Sequence, residues 1–276
     1  MNFNRRGTEA KQKINTYTMK KIVIAISILM ISISCGEIFA QKDGFSLHLS
    51  GVFPNGDFGD VGYTSTSITS IGGAASTGFG LGVKYQRSIS LVKNLRAMFE
   101  ADIMYNPLQG EMKDGIKEYI LPHDLQVLSS SVSISKYLNI PLMAGLNYSF
   151  DLAEKIKLYG ELGVGLNVRL ITKTSAEYEY ECHYWDWDSE TGEETTRIVK
   201  EKEEDKYKFN QAVSFAYQVG VGVLLSEKLS VGLNYYNLGS AKVKGTHTSS
   251  SGRDDINDDE ISISTSMLTL KVGYHF

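Results

Sequence analysis

Leu268-Thr269-Leu270-Lys271-Val272-Gly273-Tyr274-His275-Phe276, the last nine residues, decide the fold. Side chains of an extended strand alternate between its two faces. Leu268, Leu270, Val272, Tyr274 and Phe276 therefore share one face, and Thr269, Lys271, Gly273 and His275 the other. The first face is apolar throughout and carries aromatics at the last and third-last positions. A membrane-crossing strand has this composition: apolar toward hydrocarbon, aromatic where it meets the interface.

The same period recurs upstream, near residues 45–53, 79–86, 95–106, 138–148, 156–169, 213–223 and 229–235. Each span is close to the roughly 9–11 residues that a tilted strand needs to cross hydrocarbon. The polar faces are rich in glycine and carry mixed charge, with Arg96, Glu100 and Asp102 on one strand and Glu161 and Arg169 on another. A water-soluble sandwich also alternates. The connections argue against it. They alternate between long (near 54–77, 107–131, 172–210 and 239–260) and short (near 87–94, 150–155 and 225–228), as in barrels with long outer loops and short inner turns. The pattern predicts an all-β fold: an eight-stranded antiparallel up-and-down transmembrane β-barrel with four long outer loops and both termini periplasmic. Closing the ring removes sheet edges that lipid could not satisfy.

The start of the chain agrees. Met19-Lys20-Lys21 is basic, residues 22–33 form an apolar run shorter than the ~20 residues of a membrane helix, and Ile38-Phe39-Ala40 precedes Gln41. That order predicts a signal peptide over 19–40, cut after Ala40. Residues 1–18 read as a non-native upstream extension, with Met19 the true start, and 41–276 as the barrel domain. Cys35 leaves open a lipoprotein cut just before it, although Ser32 stands where an aliphatic residue is usual. After cleavage at Ala40 only Cys182 remains, so no intrachain disulfide can form.

Composition excludes other classes. The 276 residues carry a formal net charge of −4, without the basic footprint of a nucleic-acid binder. No second long apolar helix appears. Gly 26 and Tyr 16 against Pro 4 suit an all-β chain with aromatic belts. No motif calls for a cofactor or a metal.

Residues 137–148, Tyr-Leu-Asn-Ile-Pro-Leu-Met-Ala-Gly-Leu-Asn-Tyr, resemble a strand signature of the small outer membrane protein beta-barrel domain family of Gram-negative bacteria, whose members are often called porin-family proteins. Lys157-Leu158-Tyr159-Gly160 with Gly163-Val164-Gly165, and Gln218-Val219-Gly220-Val221-Gly222, are similar to two further strands of that family. The resemblance covers roughly 41–276 and implies architecture more than function, since such barrels host unrelated activities. The C-terminus resembles the insertion signal of outer-membrane assembly: Thr269, Tyr274 and Phe276 match, while Lys271 stands where glycine is usual. The implied partners are the assembly machinery during insertion, then outer-membrane lipids and lipopolysaccharide.

Lys84, Arg96, Glu100, Asp102, Glu161, Arg169 and Lys271 are expected to form an internal polar network in a lumen that side chains fill at eight strands. That argues against a general diffusion pore. Pro141 cannot donate to a ladder and is expected at a bulge or toward the periplasmic half. Lys136 is expected to snorkel to the outer interface or to meet lipid phosphate. The third loop holds Tyr178, Tyr180, Tyr184, Trp185 and Trp187 among acidic residues; 177–181 reads as a hairpin continuing the barrel, and Tyr184, Trp185 and Trp187 are candidate anchors for an extracellular ligand. His247-Thr248-Ser249 with Glu260 resembles the arrangement in outer-membrane lipid A deacylases. His123-Asp124 with serines 129–131 resembles a palmitoyl-transferring barrel, and Asp254, Asp255, Asn257, Asp258, Asp259 and Glu260 offer oxygens for Ca²⁺ or for lipopolysaccharide-bridging cations. In each of these three a solvated loop is the expected reading. The expected function is a non-enzymatic surface barrel whose long loops serve adhesion, defence or envelope integrity. A narrow channel for small solutes or ions is the alternative, and an outer-leaflet lipid-modifying enzyme comes third.

Overall fold

The computed structural model describes residues 44–60, 73–111, 126–187, 194–226, 228–250 and 260–276. The expectations for residues 1–40 lie outside them, as do His123, Asp124 and the acidic run 254–259. Eleven strands follow in order: β1 (Gly44–Asn55), β2 (Gly78–Ser88), β3 (Leu95–Pro107), β4 (Gln126–Ser133), β5 (Lys136–Ala153), β6 (Ile156–Ile171), β7 (Thr174–Trp187), β8 (Glu194–Phe209), β9 (Ala212–Leu225), β10 (Leu229–Ser249) and β11 (Glu260–His275).

Eight of them close a ring. The antiparallel order β1-β2-β3-β5-β6-β9-β10-β11 returns to β1, whose residues from Ser46 to Asn55 pair with His275 to Ser266. These eight strands contain the eight segments that the period-two pattern marks. Their outward faces carry Leu49 (65% exposed), Phe79 (66%), Phe215 (63%) and Val221 (60%), with leucine, valine and phenylalanine between. Their inward faces bury Glu100, Asp102, Asn139, Asn167, Arg169, Gln218 and Thr269. Apolar outside and polar inside inverts a soluble protein and matches a lipid-facing barrel.

Aromatic pairs mark both rims. Phe45–Tyr85, Tyr148–Phe150 and Tyr274–Phe276 lie at the short-turn end, and Phe79–Tyr105 and Tyr217–Tyr235 toward the long-connection end. Amphipathic rings at two levels suit the two membrane interfaces. Lys136 is exposed at the start of β5, its ammonium 5.9 Å from the Tyr105 ring centre.

Four features correct or extend the sequence reading. Pro141 is not at a bulge: it pairs in register with Asn167 on β6, five residues into β5 from its long-connection end. On its other side the β3–β5 ladder runs Ala101↔Leu142, then Met104↔Asn139, skipping the steps beside the residue that has no N–H. The fourth long connection is mostly strand, since β10 runs on to Ser249 and β11 begins at Glu260. A bulge between Asn237 and Ser240 bends β10 as it leaves the ring. Gly239 there takes φ +72 and has the Phe215 carbonyl oxygen 2.4 Å from where a Cβ would sit, so only glycine fits. Finally, β7 and β8 form the hairpin that continues the barrel, and β4 joins it. The sheet β4-β7-β8-β10 rises beyond the ring, with Gly245–Ser249 paired to Phe209–Asp205.

Leu49→Arg, a charge on the lipid face, should lower stability in lipid vesicles by about 2–4 kcal/mol, read from the shift in urea midpoint.

Candidate functional site: a layered lumen and the sheet above it

The lumen has three layers. In the middle, lumen-facing side chains of seven ring strands meet. Lys84 Nζ (β2) lies 2.8 Å from Glu100 Oε2 (β3) and 2.7 Å from Glu161 Oε2 (β6). Lys271 (β11) donates to Glu100 and to the Tyr236 hydroxyl and lies 3.5 Å from Asp102 Oδ2. The Tyr236 hydroxyl (β10) is 2.5 Å from Glu100 Oε1 and 3.0 Å from Asp102 Oδ2. His48 Nε2 (β1) is 2.5 Å from Asp102 Oδ1. Asn147 Nδ2 (β5) donates to Glu161 at 3.3 Å, and Asn234 donates to its other oxygen. Three carboxylates thus face two ammonium groups, one imidazole and three neutral donors, all buried. Charges so far from water persist only when paired and hydrogen-bonded in this way.

Gly82 gives this cluster its room. A Cβ there would stand 1.9 Å from Asp102 Oδ1 and 2.4 Å from His48 Nε2.

Of the seven residues expected in the network, Lys84, Glu100, Asp102, Glu161 and Lys271 meet. Arg96 and Arg169 do not join them. Arg169 sits nearer the long-connection end, where Nη1 donates to the Ile263 carbonyl at 2.7 Å, Nη2 to that of Gly239 at 3.4 Å, and Nε to Asn139 Oδ1 at 3.3 Å. It ties β6 to the bulge of β10 and to β11. Arg96 lies at the short-turn end. His48, Tyr236, Asn147 and Asn234 complete the cluster and were missed from sequence. Tyr236 follows Tyr235, and the parity of Leu233 and Tyr235 on the lipid face already turns it inward.

Above the ions, toward the long connections, an apolar group stands beside the polar set of Arg169, Asn139 and Asn167. Val52, Met104, Met143, Tyr236, Leu238 and Met267 pack with Phe58 and Ala75, which the first long connection folds inward. Phe58 stands edge-on to Tyr137 at 5.1 Å. Below the ions lies an open pocket at the short-turn end, lined by Lys84, Lys271, Gln86, Arg96, Ser149 and His275 among others.

His48, Glu100 and Asp102 offer donor atoms within 4.8 Å of one another. Lys84, Lys271 and Tyr236 already engage those carboxylates, so the arrangement is an ion-pair cluster and a cation would have to displace them.

The protruding sheet has its own core of Ala176, Tyr178 and Tyr180 against Val132. The Tyr178 hydroxyl donates to Glu203 (2.7 Å) and Asp205 (3.0 Å), and that of Tyr180 to Glu203 (3.0 Å) and Glu201 (3.2 Å). Burial first, then these carboxylates, push both phenols well above their usual range. His247 Nε2 meets Asp205 Oδ1 at 3.1 Å and stacks on Tyr207 at 4.3 Å. Tyr184, Trp185 and Trp187 pair through their backbones with Arg197, Thr196 and Glu194; their side chains, and that of Glu260, lie outside the described residues. Of the C-terminal residues, Thr269 is buried in the lumen while Tyr274 and Phe276 face outward.

The sequence profile of the outer membrane protein beta-barrel domain matches residues 29–276. The chain belongs to that family. Its place is the cell outer membrane, and the closed ring with its lipid-facing band is the family's architecture. No curated protein matches the sequence significantly. Among solved structures it is similar to Ail, the attachment invasion locus protein of Yersinia pestis, at 13% identity over 85% of this chain and 97% of that one, with TM-score 0.34. It is similar to the outer membrane protein OprG of Pseudomonas aeruginosa at 12% identity over 85% and 95%, with TM-score 0.40, and to the outer membrane enzyme PagL at 12% identity over 85% and 99%, with TM-score 0.33.

Lys271→Met strands Glu100 and Asp102 and should destabilise the barrel by about 3–5 kcal/mol. Adding Glu100→Gln should recover part of that loss, a non-additivity that a double-mutant cycle of urea unfolding would read. Gly82→Ala should lose about 1–3 kcal/mol in the same assay through overpacking.

Proposed function

We propose that this outer-membrane barrel is a non-enzymatic surface protein that acts through its long connections, in adhesion, defence or envelope integrity. The supporting observation is the four-stranded sheet carried beyond the ring. Such a platform holds the stretch with Tyr184, Trp185 and Trp187 away from the membrane on a paired backbone, and rigid aromatic residues are effective anchors for a partner. On this reading both termini are periplasmic, the sheet is extracellular, and lipopolysaccharide and outer-membrane lipids surround the band between the aromatic rims. The assembly machinery would read Thr269, Tyr274 and Phe276 during insertion.

The channel alternative needs a continuous aqueous path. Phe58, Met104, Met143 and Met267 stand across that path on one side of the ion cluster. The enzyme alternative has one concrete candidate, His247 with Asp205 and Ser249 on neighbouring strands. The pair serves equally to tie β8 to β10 beside the stacked Tyr207, and that is the role assigned to it here.

In planar bilayers the purified protein should give no steady openings; regular unitary currents, altered by Glu100→Gln, would establish the channel instead. Lipid A from cells making the wild-type or the Ser249→Ala protein should have the same mass, and a shift that depends on Ser249 would establish the enzyme. Replacing the β7–β8 hairpin by a short turn should leave a heat-modifiable barrel while abolishing the surface phenotype, read as attachment to matrix-coated plates or survival in serum.

A further inference from the structure

The pocket at the short-turn end of the lumen is closed at its inner end by the Lys84–Glu161 pair and open at the other. Its lining is unequal in charge. Lys84, Lys271 and Arg96 face it, with the imidazoles of His48 and His275, against the single carboxylate of Glu161. Glu100 and Asp102 lie behind the lysines that bind them. Most lining groups are already engaged: Lys84 and Lys271 by carboxylates, Asn147 by Glu161, and His275 by Ser230 at 2.9 Å.

Three are not. The side chains of Gln86, Arg96 and Ser149 make no hydrogen bond or ion pair among the described residues. Gln86 and Ser149 are only 6% and 8% exposed. Their polar ends border the open pocket, where a ligand can reach all three. The three sit on the adjacent strands β2, β3 and β5, spaced about 4.8 Å apart. The registers Gln86↔Met98 and Arg96↔Asn147 place them as diagonal neighbours on the lumen face. A planar guanidinium, an amide N–H and a hydroxyl side by side are donors that converge on an oxygen-bearing anion, and Arg binds carboxylate and phosphate through two parallel bonds.

We infer that this pocket binds a small oxyanion, a carboxylate or phosphate group, held by Arg96 as charge partner with Gln86 and Ser149 as neutral donors. The dead end makes it a binding site and not a segment of a conduction path. It sits at the end of the ring away from the protruding sheet, so it is separate from the surface role proposed above.

The test uses the full-length protein in an uncharged detergent, titrated with inorganic phosphate and, separately, with acetate, following the backbone amide resonances of Asn147 and His275, which line the pocket and are kept in every variant. Saturable shifts are expected with at least one of them. Arg96→Gln should weaken binding roughly tenfold or more, the loss of a charge-assisted contact. Gln86→Leu should weaken it by a smaller factor, and Lys155→Gln, an exposed turn residue outside the pocket, should leave it unchanged. Should Arg96→Gln fail to fold, Arg96→Lys keeps the charge without the fork and should bind with intermediate affinity. Doping the micelles with an anionic phospholipid separates the sources: competition with phosphate means a lipid headgroup reaches the pocket, and no competition means a free anion does. Non-saturable shifts with both anions, or equal affinity in the wild type and in the Arg96 and Gln86 variants, would overturn the proposal.

Discussion

A backbone N–H in hydrocarbon has no water to pair with, and that constraint governs this molecule. The ladder between β1 and β11 answers it by joining the first ring strand to the last, so that no ring strand keeps an open edge. Once the ring is closed, alternation has a fixed meaning. Every second side chain meets lipid and must be apolar, and every other one meets the opposing strands in a narrow lumen. The exposed leucines and phenylalanines and the buried carboxylates are two consequences of one geometric fact.

The narrow lumen then imposes its own demands. Charges inside it are too far from water to stand alone, and they come as a set from several strands. Lys271 illustrates the coupling. It stands on the C-terminal strand, and its ammonium binds Glu100 and Asp102 across the ring. Its side chain supplies the cation that those two carboxylates need at that height. Gly82 on β2 is the steric counterpart, giving up a side chain so that His48 and Asp102 can meet. The methionine-rich group above, with Arg169 and its amides beside it, and the donor-lined pocket below divide the lumen into compartments with different chemistry.

Much of this was legible in the sequence, and the rest was not for identifiable reasons. The eight ring strands could be read because lipid on one face makes period two unusually clean. Face was legible for all seven charged lumen candidates, but height was not. Arg96 and Arg169 share the lumen face with Glu100 and Glu161, yet they sit near opposite ends of the ring, and only the stagger between neighbouring strands fixes that. Beyond the membrane no lipid enforces a pattern. Gln126–Ser133 scatters Val127, Leu128 and Val132 among serines over both faces and gives no clean period, and the continuation of β10 past Gly239 is hidden by a bulge that shifts the register. The β7–β8 hairpin was visible because tyrosine and glutamate alternate strictly over 177–181, one set forming the small core and the other facing solvent.

Closure of the ring is the claim on which the lipid face, the compartments of the lumen and the platform above it all stand. Amide hydrogen exchange of the protein in lipid nanodiscs, resolved by residue along β1 and β11, tests it most directly. Exchange should be slow throughout Leu47–Val52 and Leu268–Val272, since each strand is paired on both sides there. Slow exchange of β2 and β10 beside fast exchange of the facing amides of β1 and β11 would mean an open seam, and would contradict the closed barrel.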